Sequence, residues 1–413
     1  MKLSEELQVR GFIHQYAGTS VAEVVDGPKR IIYHGIDPTA DSAHAGNFVA
    51  WLLLRHLSLH GHTIIFLVGG GTGMIGDPKP DVERPLLSTE VIEHNVAALQ
   101  RQAKQIFGDA EVQFVNNADW LTNVKLIEFL REIGKHFTVN ELIKKDAISS
   151  RLKREDGISY TEFAYPLLQG YDYLELYRRY GCDVQVGGSD QWGNIVAGVD
   201  LIRRKEKKKV FALTTPMITD KATGKKFGKS EGNAVWLDPK KTSPYTFYQF
   251  WVNTNDESAP DYLKIFTFLP LTTIDTIIQQ HQEDPGARLA QRTLAYEVTK
   301  LVHGESAADN AQAAASALFG EVPFAELSST VKQILEENAP TIKTLSGTSL
   351  VDVLVEASLA SSKREARTFI ESGAVQINNA KIEKVDSVLD KDQFGDALLL
   401  KRGKKHMVIV KLS

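Results

Sequence analysis

Two short apolar runs, Arg30 to Gly35 and His62 to Val68, bracket a segment from His44 to His60. In that segment Phe48, Trp51, Leu52, Leu54 and Leu57 recur at helical spacing. Strand, helix and strand in this order form a βαβ unit, whose two strands lie parallel in one sheet. Further strands are expected at Glu111 to Val115, Asp183 to Val186 and Phe211 to Thr214. Helical stretches separate them at Ser88 to Phe107, Asn123 to Gly134, Thr161 to Tyr180 and Ser189 to Arg204. The alternation predicts an α/β fold with a doubly wound, Rossmann-like parallel sheet.

The pattern changes after residue 225. Between Ser243 and Ala339 every apolar periodicity is helical, with Pro or Gly at several breaks, which predicts a small all-α domain. The Thr- and Ser-rich stretch 340–349 is expected as a linker. Residues 350–413 read as an α+β unit: two short helices, then strands at Val375 to Ile377, Ala397 to Leu400 and Met407 to Lys411. The expected domains are therefore 1–225, 226–339 and 350–413.

A net charge of −4 leaves no global nucleic-acid signature, so any RNA contact has to use a local patch. The single cysteine, Cys182, excludes a disulfide framework and a cysteine metal site within one chain, and a reducing cytoplasm is the expected setting. No stretch is long and apolar enough to span a bilayer, so no membrane partner is expected.

Several motifs carry chemistry. Tyr33-His-Gly35-Ile-Asp37-Pro-Thr39 leads into a helix that opens on His44-Ala45-Gly46-Asn47. A helix start supplies free N–H groups and a positive dipole end, so Thr39, His44, Gly46 and Asn47 form a phosphate-and-ribose set; the alternative is a capped helix with an exposed histidine. Lys226-Phe-Gly-Lys229-Ser230 offers two amines three residues apart, either in a solvated basic loop or in one that closes over an anion. Tyr165, Gln169 and Asp172 fall at i, i+4 and i+7, which puts a phenol, an amide and a carboxylate on one helix face amid leucines. That stripe is a pocket wall or a satisfied buried network. Gly187-Gly188-Ser189-Asp190-Gln191 is a strand-to-helix junction where Asp190 can accept from a ribose hydroxyl or simply cap the helix. Gly71-Thr-Gly-Met-Ile-Gly76 fits a dinucleotide fingerprint, but Asp77-Pro78-Lys79-Pro80 follows where a helix should continue. A tight turn that delivers Asp77 to a ligand is the better reading. Lys363, Arg364 and Arg367 on one short helix, and Lys404 and Lys405 in one turn, are local patches suited to a phosphate backbone.

Over nearly its whole length the chain resembles the bacterial tyrosyl-tRNA synthetases, a class I aminoacyl-tRNA synthetase family. His44 to Asn47 stands at the HIGH motif and Lys226 to Ser230 at KMSKS. The stretches 165–172, 187–194 and 243–251 are similar to ones specific to this family. The tail is similar to a small RNA-binding domain shared with a ribosomal protein of the small subunit. The resemblance implies that L-tyrosine is activated with ATP to tyrosyl-adenylate and pyrophosphate, and that the tyrosyl group is then transferred to the terminal adenosine of tRNA(Tyr). It implies Tyr33 and Asp172 at the substrate phenol, and Tyr165, Gln169 and Asp77 at its ammonium group, with Gln191 nearby. Gly35, Asp37, Gly46, Asn47, Gly188 and Asp190 would bind ATP. Thr39, His44, Lys226, Lys229 and Arg84 would stabilise the transition state. Magnesium is expected with ATP, without a protein metal cage or a tightly bound cofactor, and a homodimer is implied. Asn47 replaces the motif's second histidine, while His34 and Ala50 stand where cysteine and a hydroxyl residue are common. ATP affinity and its pH dependence are therefore where this chain should depart from its family. A tryptophan-activating relative, a small-molecule nucleotidylyltransferase and an RNA-binding protein without catalysis are the competing readings.

Overall fold

The computed structural model describes residues 1–79, 85–155, 157–219, 221, 224, 229–230, 233–319, 324–403 and 406–413. It divides into two units, 1–242 with 254–294, and 243–253 with 295–413.

The first unit is built on six strands: β1 (Gln15–Ala17), β2 (Ile31–Ile36), β3 (Thr63–Val68), β4 (Val112–Asn116), β5 (Val184–Gly188) and β6 (Phe211–Thr215). Their order is β1-β6-β5-β2-β3-β4. All neighbours are parallel except β1, which runs antiparallel to β6 at the edge. The expected βαβ unit is β2, helix α1 (Ala45–Leu59) and β3. Phe48, Trp51, Leu52, Leu53, Leu54 and Leu57 of α1 are all fully buried, which is what holds this helix on the sheet. Helices α2 (Thr89–Phe107), α3 (Tyr160–Tyr180) and α4 (Trp192–Glu206) complete the layers. The chain moves outward from β2 to β3 and β4, then returns to β5 and β6 on the other side. The order therefore reverses between β2 and β5, and the crevice beyond their C-terminal ends is where such sheets bind ligands. β1 lay outside the sequence expectation, because three partly exposed residues carry no apolar run.

The second unit holds the helices Pro244–Val252, Glu305–Phe319 and Ser329–Asn338 and a five-stranded sheet. The stretch 340–349 is not a free linker. Thr341–Thr344 pairs in parallel with His406–Leu412, with Ile409, Val410, Lys411 and Leu412 opposite its four residues. Leu350, Leu354, Ile370, Val375, Leu398, Leu400 and Val408 form the core beneath that sheet. Cys182 is buried in the first unit. Among the described residues no helix is long and apolar enough to cross a membrane.

Candidate active site

The crevice at the β2/β5 reversal is a cavity of about 320 Å³. Its lining brings together Tyr33, Gly35, Asp37, Thr39, His44, Gly46, Asn47, Asp77, Tyr165, Gln169, Asp172, Gly188, Asp190 and Gln191. Arg84 and Lys226 lie outside the described residues, as do Lys404 and Lys405. Lys229 belongs to the short strand Lys229–Ser230, which pairs with Asn233–Ala234.

Asp172 is at the floor, 3% exposed, and α3 holds it there. Trp120 Nε1 donates to its Oδ1 at 2.7 Å and Asn117 Nδ2 to its Oδ2 at 2.9 Å. Burial nonetheless pushes the carboxyl up to about 7, against the pull of those two donors. Tyr33 is 1% exposed and packs its ring on Tyr173, with centroids 5.2 Å apart. Its hydroxyl has no hydrogen-bond partner among the described residues. Burial, then the neighbouring Asp172 charge, raise its pKa well above the usual phenol value. A buried orphan hydroxyl beside a buried carboxylate costs stability unless a ligand answers both.

A polar chain runs from this floor along the wall. Asn117 Nδ2 also donates to Thr72 Oγ1 at 2.9 Å, Thr72 to Asp37 Oδ1 at 2.7 Å, and the Tyr165 hydroxyl to Asp37 Oδ2 at 2.8 Å. Asp37, expected on the ATP side, therefore stands in contact with the tyrosine-side phenol. The glycines after β3 serve this chain: a Cβ on Gly69 would lie 2.3 Å from Thr72 Oγ1 and 2.4 Å from Asp37 Oδ1. Gly76, at φ +86°, makes the left-handed turn that delivers Asp77. Asp77 accepts from Gln191 Nε2 at 2.9 Å and Asn194 Nδ2 at 3.3 Å, and Asn194 also donates to Gln169 Oε1 at 3.1 Å. Lys145 Nζ donates to the Gly193 carbonyl, and burial pulls its pKa down to about 8 although the Asp77 charge opposes the fall.

The other end of the cavity is the start of α1. His44 is the N-cap: its Nδ1 accepts from the Gly46 N–H at 3.0 Å, and Asn47 Oδ1 accepts from the His44 N–H at 3.3 Å. This reciprocal cap leaves the proton of the neutral imidazole on Nε2. His34 is 8% exposed, and its Nδ1–H donates to the Val186 carbonyl at 3.0 Å. Burial lowers its pKa, so it stands neutral with Nε2 as an acceptor. No lysine or arginine lines the cavity among the described residues, whereas four carboxylates do: Asp37, Asp77, Asp172 and Asp190.

Asn117, Trp120, Thr72 and Asn194 were not singled out in the sequence. One signal was available: Asn117 follows directly on β4, at the C-terminal ends of the strands where ligands collect. In the second unit Lys363, Arg364 and Arg367 are exposed on helix Lys363–Glu371, with Lys363 Nζ 2.6 Å from Asp352 Oδ1.

Residues 27–320 match the family model of class I tRNA synthetases (W and Y), and residues 330–410 match the tyrosine–tRNA ligase SYY-like C-terminal domain. The tyrosine–tRNA ligase of Laribacter hongkongensis is 47% identical over 410 residues, 97% of this chain and 96% of that one. The one from Leuconostoc citreum is 44% identical over 433 residues, with all of both chains covered. Among solved structures, a C-terminally truncated mitochondrial tyrosyl-tRNA synthetase from Aspergillus nidulans aligns with a TM-score of 0.70 and 33% identity. It covers 77% of this chain and 94% of its own. A tryptophanyl-tRNA synthetase from Encephalitozoon cuniculi shares the fold, with a TM-score of 0.56 at 13% identity over 75% of this chain and 89% of its own.

Proposed function

The chain belongs to the class I tRNA synthetases of the tryptophan and tyrosine type, and we propose that the cavity is where it activates L-tyrosine for transfer to tRNA(Tyr). It is a tyrosine–tRNA ligase, and ATP is its energy source. The observation that carries the choice of amino acid is the pair at the floor. A phenol donates its O–H to Asp172 and accepts from the orphan Tyr33 hydroxyl, so both buried groups are satisfied. Indole has one N–H donor and no acceptor, and it would leave Tyr33 unanswered.

With the ring at the floor, Asp77, Tyr165 and Gln169 hold the ammonium group and the substrate carboxylate faces the α1 end. There it attacks the α-phosphorus of ATP in line. The new O–P bond forms as the bond to the β-phosphate bridging oxygen breaks, and pyrophosphate leaves with the electron pair. A hydroxyl of the terminal tRNA ribose then attacks the acyl carbon and expels AMP. No covalent enzyme intermediate is needed; catalysis is orientation and charge stabilisation. The His44 Nε2–H, Thr39 and the α1 N-terminus face the phosphates with Gly35, Gly46 and Asn47, and Asp190 and Gly188 take ribose hydroxyls. His34 Nε2, an acceptor on the cavity wall, accepts from the nucleoside. Lys226, Lys229 and Arg84 supply the cations. Magnesium enters with ATP as part of the substrate, held by the phosphates. Residues 350–413 contact tRNA through Lys363, Arg364, Arg367, Lys404 and Lys405, and the reaction takes place in the cytoplasm. Exchange of labelled pyrophosphate into ATP tests this reading: it should depend on tyrosine, and exchange supported equally by tryptophan would end it.

The homodimer assignment rests on a patch. Leu126, Ile127 and Leu130, on the single helix Leu126–Glu132, are 68%, 74% and 42% exposed. A cluster of large apolar side chains of this kind marks a contact surface, and a second copy of the chain covers it. Ile127→Glu should shift the mass in light scattering from dimer to monomer. A wild-type chain that is monomeric at micromolar concentration contradicts the assignment.

A further inference from the structure

The helix Ala259–Phe266 begins after Ser258, whose side chain makes no cap bond to its own helix. The cap falls to Asn255, whose Oδ1 accepts from the Ser258 N–H at 2.8 Å. Ser258 is instead fully buried, and its Oγ accepts from the backbone N–H of Lys221 at 3.1 Å. Asp261 Oδ2 lies 2.6 Å from Lys221 Nζ, and the buried Tyr262 hydroxyl donates to the Thr219 carbonyl at 3.2 Å. Ser258, Asp261 and Tyr262 fall at i, i+3 and i+4, a single helix face. That face grips Thr219 and Lys221 by three bonds, two of them to backbone. The exposed ion pair alone contributes little. The buried pair is different: Ser258 and Tyr262 each have a polar oxygen committed to the segment.

The position of the gripped residues gives the face its meaning. Pro216, Met217 and Ile218, immediately before Thr219, line the cavity, and Lys226 lies five residues after Lys221. We propose that Ser258, Asp261 and Tyr262 are positioning residues that fix the root of the lysine segment for catalysis. The inference rests on the role given above to Lys226 and Lys229. A fixed root sets where the segment leaves the cavity wall, and so raises the effective concentration of the amines at the phosphates. None of the three residues lines the cavity.

The test is tyrosine-dependent pyrophosphate exchange by the full chain carrying Ser258→Ala, Tyr262→Phe or both, each made also in a Lys226→Ala background, with Tm recorded for every variant. The expected result is a fall in kcat of roughly fivefold for each single change, with the tyrosine KM unchanged. In the Lys226→Ala background the same changes should cost less, because one of the two amines they position is gone. Equal losses in both backgrounds would show a merely structural role and overturn the inference, as would full kcat in the double variant at unchanged Tm. If Lys226→Ala itself leaves kcat intact, the role of the lysines fails first and the inference falls with it. That outcome is separate from one in which Lys226→Ala is slow and the anchor variants are not.

Discussion

Replacing Asp172 by alanine should lower kcat/KM for tyrosine in pyrophosphate exchange about a thousandfold, near 4 kcal/mol of transition-state binding. The substrate loses a hydrogen bond to a charged acceptor, worth roughly 1.5–3 kcal/mol, and the Trp120 N–H and Asn117 amide lose their shared partner. The chain should still fold. A carboxyl that titrates near 7 when folded, against 3.8 when free, holds a proton that the unfolded chain has lost between those values. Its contribution to stability is therefore present below about pH 4 and is lost as pH rises towards 7, so removing it flattens that slope. The wild-type protein should show the same ionisation in its kinetics. Only the carboxylate accepts the phenol proton, so the tyrosine KM should climb about tenfold per pH unit below 7, while the ATP KM does not follow it. Trp120→Phe removes a donor that favours the anion and should move this limb to higher pH. A flat tyrosine KM between pH 5.5 and 8, or Asp172→Ala within threefold of wild type, would remove Asp172 from the phenol site.

What the sequence made legible is what short-range pattern encodes. The strand–helix–strand of β2, α1 and β3 stands where apolar periodicity placed it, and the stripe of Tyr165, Gln169 and Asp172 does face the cavity, because both depend only on local repeat. The partners of Asp172 do not. Asn117 and Trp120 lie some fifty residues earlier in the chain, and only the sheet order that puts β3 and β4 outside β2 brings them to α3. Strand Thr341–Thr344 was hidden for the same reason. Threonine-rich sequence reads as linker until its partner strand, far along the chain, supplies the ladder. The glycine run after β3 was legible as a close approach. Its beneficiary, the bond from Thr72 to Asp37, was not, because Asp37 comes from the end of another strand.

Lys226→Ala and Lys229→Ala should each slow adenylate formation by about thirtyfold, and the double variant by several hundredfold, with tyrosine affinity unchanged. The reason is a charge imbalance in the cavity. Its lining presents Asp37, Asp77, Asp172 and Asp190, and among the described residues no lysine or arginine, to a substrate that carries a triphosphate. The α1 N-terminus and the Nε2–H of His44 offset part of this, the helix end by about half a charge. As the α–β bond breaks, negative charge accumulates on the departing pyrophosphate, and each amine that meets it contributes roughly 2 kcal/mol. In the proposed role the amines act on the leaving group rather than on the phenol end, so the loss should appear in kcat and in the reverse reaction with added pyrophosphate. Equilibrium binding of tyrosine, followed by the protein's fluorescence change, should stay the same. Arginine at position 226 restores charge without the compact geometry of an ammonium and should recover only part of the rate. Full activity in the double alanine variant would require the cations to come from elsewhere, Arg84 being the remaining residue assigned to that role.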